Sequence, residues 1–298
     1  MKEMAGKFLF VMAGYVWQSD LLKNLRFRYC LVEDFAMRFI DTYDSIVHCF
    51  PPGEFSLQDW ANYAGRVSPH LGNKVREDVS AYDFDADILP VVTAALRDRE
   101  RLYQVHKAFQ AVAETLRVGL IEAFGVDLDV EIILYLGLCS GAGWATSLGE
   151  QKVILLGIEK IIELGWCDER KLFALIAHEI GHIWHMEAGG LYDRQRSGRE
   201  AAVFQLYSEG VAMWCEQKLC NAENYYHQDG DGWLEWCENN LAGIKKEYLQ
   251  RLRDEVNVQD FFGDWCSYQG YSDVGYYLGC QEASSRQIHP APNGHSDG

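Results

Sequence analysis

No two of the nine cysteines, at 30, 49, 139, 167, 215, 220, 237, 266 and 280, have Cys-x-x-Cys spacing. Their number is odd and several lie in apolar, helix-like stretches, where thiols behave as small hydrophobes. A disulfide scaffold is therefore not expected at this length, and a reducing, cytoplasmic compartment is. Positive charge is scarce too: 27 Lys and Arg stand against 44 Asp and Glu, a net charge of −17. So acidic a chain is repelled by phosphate backbones and anionic lipid, which argues against nucleic acid or an anionic membrane as partner. It does not specify a basic substrate, since acidity serves solubility equally well.

Long hydrophobic runs are also lacking. The apolar run Phe-Leu-Phe-Val-Met-Ala-Gly-Tyr-Val-Trp after Lys2 and Lys7 is too short to span a bilayer. Stable membrane insertion is not expected. That run has the length of a signal-peptide core but no small-x-small cleavage site follows it. Residues 1–18 are read as a short apolar element, a strand packing on the fold, with secretion the alternative if they act as a signal peptide. There is no internal repeat. What remains is a 298-residue chain, 48% hydrophobic and 24% charged, the composition of a globular protein of one or two domains.

Periodicity predicts an α+β protein, mainly helical. From Asp20 to Phe50 apolar residues (Leu22, Phe27, Leu31, Phe35, Phe39, Ile46) recur at helical spacing, and Pro51-Pro52-Gly53 ends the segment. A helix start follows at Ser56, then an acidic, aromatic stretch from Glu77 to Asp87 read as loop or short helix. One long helix is predicted from Pro90 to about Ala123, closed by Gly125. The character changes at Asp127. Glu131–Leu138 and Lys152–Gly157 are dense in strand formers, and between them lies the glycine-rich Cys139-Ser-Gly-Ala-Gly-Trp-Ala-Thr-Ser-Leu. A short helix (Ile158–Leu164) and further helices at Glu200 to about Cys220 and Trp233–Val256 are expected. This divides the chain into a mainly helical N-terminal region (1–125), a core carrying the chemistry (126–287) and a disordered tail (288–298).

The chemistry sits on a helix predicted from Asp168 to about Glu187. Asp168 suits the N-cap, and Gly189-Gly190 suits the C-terminal end. His178 and His182 are four residues apart, so their imidazoles project from one face, one turn from each other. Two imidazoles so placed can grip a tetrahedral Zn2+, and Glu179 beside them can reach a water on its open position. Leu172, Phe173, Leu175, Ile176, Ile180, Ile183 and Trp184 leave little polar face, so the helix is buried and its ionisable groups need partners.

A catalytic zinc needs a third protein ligand. Geometry argues against His185, since the seven residues from His178 span about 10 Å of helix axis. Glu209 is the better candidate, on an otherwise apolar stripe with Ala202, Leu206 and Met213. Its small neighbours Ser208 and Gly210 let another helix approach. Glu187, Glu200 and Glu216 are weaker alternatives.

These residues resemble the gluzincin class of zinc metallopeptidases, with His-Glu-x-x-His on one helix and a zinc-binding Glu on the next. More narrowly, residues 130–280 are similar to a family of bacterial predicted zinc-dependent proteases. The likeness rests on Ala174 through His182, on Glu209-Gly210, and on a late Gly-Tyr-x-x-Gly, here Gly275 to Gly279. The resemblance implies a zincin-like core: a small sheet whose edge strand passes the HExxH helix, followed by the Glu-bearing helix. It implies Zn2+ held by His178, His182 and Glu209, a peptide or protein substrate able to add along the sheet edge, and Glu179 as general base and acid. For the oxyanion it implies a downstream donor, assigned to Tyr276, with Tyr277 and Tyr271 behind it. The metzincin pattern and the Gly-x-Met-Glu-Asn signature of common aminopeptidases are absent. No acidic residue stands three or four positions after Glu209, so any carboxylate supporting the ligands must come from elsewhere. Two alternatives remain: a non-catalytic zinc-stabilised binding module, closed by a fourth ligand such as Cys215 or His185, and a zinc hydrolase of non-peptide substrates. Oligomeric state is left open.

Overall fold

The computed structural model describes residues 37–191 and 196–284. The apolar element at 1–18, the first part of the helix predicted from Asp20 and the tail at 288–298 lie outside them. The described chain is mainly helical with one four-stranded mixed sheet. Among the described residues no helix is long and apolar enough to cross a membrane. The chain forms two compact units, the first running to Ile183 and including Lys218–Asn221, the second taking up Trp184–Gln217 and the chain from Ala222.

In the first unit the strands are β1 (Arg38–Asp41), β2 (Glu131–Tyr135), β3 (Gly143–Leu148) and β4 (Gln151–Gly157), in the spatial order β1-β2-β4-β3. β1–β2 and β2–β4 are parallel, while β3 is antiparallel to β4 and forms one edge. The two central strands read as nearly unbroken apolar runs, Ile-Ile-Leu-Tyr and Val-Ile-Leu-Leu. All eight of these residues are buried, as parallel strands covered on both faces require.

The helices of this unit are α1 (Tyr43–Cys49), α2 (Leu57–Val67), α3 (Leu71–Asp78), α4 (Leu89–Arg97), α5 (Arg99–Phe124) and α6 (Ile158–Glu163), with the first part of α7 (Glu169–Gly189). Two departures from the sequence reading have local causes. Phe39, placed by its spacing in a helix, lies in β1, where pairing with β2 overrides the periodicity and its ring packs on Phe109 at 5.5 Å. The long helix expected from Pro90 is broken at Asp98, whose carboxylate accepts the Arg101 N–H and caps a new helix.

Buried polar groups tie the loop after β2 in place. The Trp60 indole donates to the Leu136 carbonyl at 2.9 Å, and the Tyr63 hydroxyl accepts the Leu136 N–H at 2.9 Å. Glu159, fully buried on α6, accepts the N–H groups of Gly137 (2.8 Å) and Cys139 (3.0 Å). Desolvation pushes its carboxyl above the ordinary carboxylate range, and those N–H groups only partly oppose the shift.

The second unit contains the end of α7 with α8 (Gly198–Leu219), α9 (Trp233–Asp254) and α10 (Val274–Ser284). Its core is aromatic: Trp233, Tyr248, Phe261, Phe262 and Tyr277 pack with Leu206 and Met213. Here the glycines of the late Gly-Tyr-x-x-Gly find their reason. A Cβ on Gly279 would sit 2.5 Å from the Leu206 carbonyl oxygen, and one on Gly210 would press into the Gly279 carbonyl. α8 and α10 thus meet backbone to backbone at Gly210 and Gly279, the close approach that the small residues around Glu209 had suggested.

Two predictions follow from these contacts. Gly210→Ala should lose about 1–3 kcal/mol of stability in urea denaturation, as overpacking against backbone does. For Glu159, the folded protein keeps a proton that the unfolded chain has released, so stability falls as pH rises from the unfolded pKa through the raised folded one. Across that window, urea titrations should show the native protein losing stability relative to Glu159→Gln; a pH-independent difference would contradict it.

Candidate metal centre

Helix α7 has the ends its sequence predicts. Asp168 accepts the Lys171 N–H at 3.0 Å, satisfying a free donor of the first turn. At the other end Gly190 takes φ +59°, Leu191 N–H reaches the Met186 carbonyl and Gly190 N–H the Glu187 carbonyl, a Schellman closure. Between them Leu172, Ala174, Leu175, Ile176, Ala177, Ile180 and Ile183 are buried. His178 and Glu179 are buried among them, only 3% and 7% exposed, and the two imidazoles at 178 and 182 stand 4.9 Å apart, edge to face.

Glu179 is held from the sheet. Its Oε2 accepts the N–H of Ala145 on the edge strand β3 at 2.8 Å. The stretch between the two predicted strands, read from sequence as glycine-rich connection, thus supplies the strand beside the glutamate. Since Ala142 carbonyl bonds to Gly157 N–H, even-numbered residues of β3 face β4. Gly143, Ala145 and Ser147 therefore turn their backbone groups to the open edge.

Among the described residues, two sets of three have donor atoms within 4.8 Å of one another, the spacing of a metal site: His178, His182 and Glu209, and His178, Glu216 and His227. The first is the set read from the sequence. Two imidazoles and a carboxylate suit a borderline cation such as Zn2+. In this set His178 is buried, while His182 and Glu209 are partly exposed. The second set is wholly buried, and within it His227 Nδ1 lies 2.9 Å from a Glu216 carboxylate oxygen. That contact has hydrogen-bond length.

Neither His185 nor Cys215, the proposed fourth ligands of a closed site, belongs to either set. The His185 ring lies between Phe204 and Tyr207, with centroids 5.8 and 5.0 Å away. Of the candidate tyrosines, Tyr277 is buried against Tyr226 and Trp233, and Tyr271 stacks on Trp236 at 4.3 Å. Tyr276 is half-buried with its ring edge-on to Phe262. Near it on the chain, burial pushes the Asp273 carboxyl up to about 6, with the Gly263 N–H it accepts at 2.7 Å working against the shift.

From sequence alone Glu216 is a weaker ligand candidate and nothing singles out His227. Glu216 lies seven residues after Glu209, two turns along the same stripe through the buried Met213, which is a legible signal. His227 sits in a polar turn region with no periodicity to mark it.

No family model, curated protein or solved structure matches this chain.

If the first set holds Zn2+, replacing Glu209 with Ala should lower the affinity for it by roughly 100-fold or more, beyond what loss of a merely orienting group does. Chelator competition on the purified protein measures it, and unchanged affinity would remove Glu209 from the ligand set.

Proposed function

We propose that the chain is a zinc-dependent peptidase. The observation that carries this reading is the convergence of His178, His182 and Glu209 donor atoms within 4.8 Å, with the neighbouring Glu179 bound to an edge strand. His178, His182 and Glu209 would hold the ion. Bound there, Zn2+ supplies a Lewis acid for the scissile carbonyl and lowers the pKa of a water.

The remaining work falls to the chain. Glu179 takes a proton from the attacking water and passes it to the leaving amine. An extended peptide can align along β3, pairing with the outward backbone groups of Gly143 and Ser147, so main-chain hydrogen bonds fix the scissile bond while side chains stay free. Tyr276 is assigned as the donor to the developing oxyanion. Unlike Tyr277, which is buried, Tyr276 is partly exposed.

A zinc-stabilised binding module draws support from the second set, His178, Glu216 and His227, whose full burial suits a closed structural ion. A peptide-library digest with and without chelator separates the readings. The native protein should cleave and the chelated protein should not. Glu179→Gln should retain zinc and lose at least about 100-fold in turnover, within the range for a general base. Near-normal turnover in that variant would refute the assignment.

A further inference from the structure

Gly143 has no conformational need to be glycine. It lies in regular β3, pairs with Leu156, and does not belong to the glycines with positive φ. A glycine inside a strand gives up side-chain packing, and close approach of another group is a common reason for one. Here that group is Glu179. A Cβ at position 143 would fall 2.6 Å from Glu179 Oε1, 2.9 Å from its Cγ and 2.9 Å from Leu175 Cδ1. Leu175 is buried and β3 is fixed by its ladder to β4, so the glutamate side chain is what must move. Its other oxygen, meanwhile, is tethered by the Ala145 N–H two residues along the same edge.

We infer that Gly143 is a positioning residue for the proposed general base: the space it leaves seats the Glu179 carboxylate against β3, where the Ala145 N–H fixes it. This rests on the peptidase reading for its catalytic consequence but not for its geometry. Glu179 is oriented by the strand along which substrate would align, so base and substrate share one reference. The Ala145 N–H is spent on the enzyme's own carboxylate and is not offered to the incoming strand.

The test has two readouts. Amide hydrogen exchange should show Ala145 protected in the native protein although it faces away from β4. In Gly143→Ala and in Glu179→Ala that protection should fall by about tenfold or more, the loss of a charge-assisted bond, with Thr146 unchanged. In the zinc-loaded protein, Gly143→Ala should bind metal normally yet lose on the order of 100-fold in turnover, as a displaced catalytic group does. Gly143→Ala combined with Glu179→Asp, whose shorter side chain restores room, should be no slower than Glu179→Asp alone. If Gly143→Ala does not fold, this double variant should fold and behave in the same way. An Ala145 amide exchanging freely in the native protein, unchanged protection or near-native turnover in Gly143→Ala, or additive losses in the double variant would each overturn the inference. A native protein that holds zinc and cleaves nothing would sink the peptidase reading alone, leaving exchange to decide on Gly143.

Discussion

Ionisable groups inside an apolar helix must meet partners, and that requirement shapes the surroundings of α7. A buried carboxylate without hydrogen bonds costs several kcal/mol or so, a large part of the stability of a typical domain. Glu179 meets its requirement through a strand amide, which forces β3 to run close by and leaves no room for a side chain at 143. The histidines meet theirs by facing other donors and acceptors. In the proposed function an ion completes that arrangement.

The same economy of buried polar groups recurs in the structural parts. Glu159 and Glu179 are both nearly inaccessible carboxylates, and both accept N–H groups from the chain between β2 and β4. Glu159 holds the loop that leaves β2, and Glu179 contacts the strand the loop enters. Two fixed points on one short segment restrict it far more than its glycine content suggests. Glycine here serves contact as well as freedom: at Gly143, Gly210 and Gly279 the missing Cβ matters because something else occupies its place.

Much of this was legible in the residues. Helix α7, its Asp168 cap, its glycine end and its buried face follow from local rules that tertiary context did not override. The three-residue donor set was readable too, because helical spacing places His178 with His182 and an isolated acid on an apolar stripe marks Glu209. What escaped was decided by distant partners. Phe39 has helical spacing but is recruited as a strand by β2, and the strand character of Gly143–Leu148 comes from pairing with β4 rather than from its small residues. His227 could not be found at all, since a turn residue carries no periodicity and its pairing with Glu216 is made by the fold.

Strand β1 is only four residues long, yet it covers the flank of β2, and the Thr42 hydroxyl reaches the Leu134 carbonyl across 92 positions of sequence. Until that distant segment docks, a strand with Ile132, Ile133 and Leu134 at its centre presents bare amides and carbonyls to any neighbour. Closing so large a loop is entropically slow, so during refolding the interval before β1 arrives is when chains would self-associate. A concentration-dependent refolding yield would be the mark of that short protective strand.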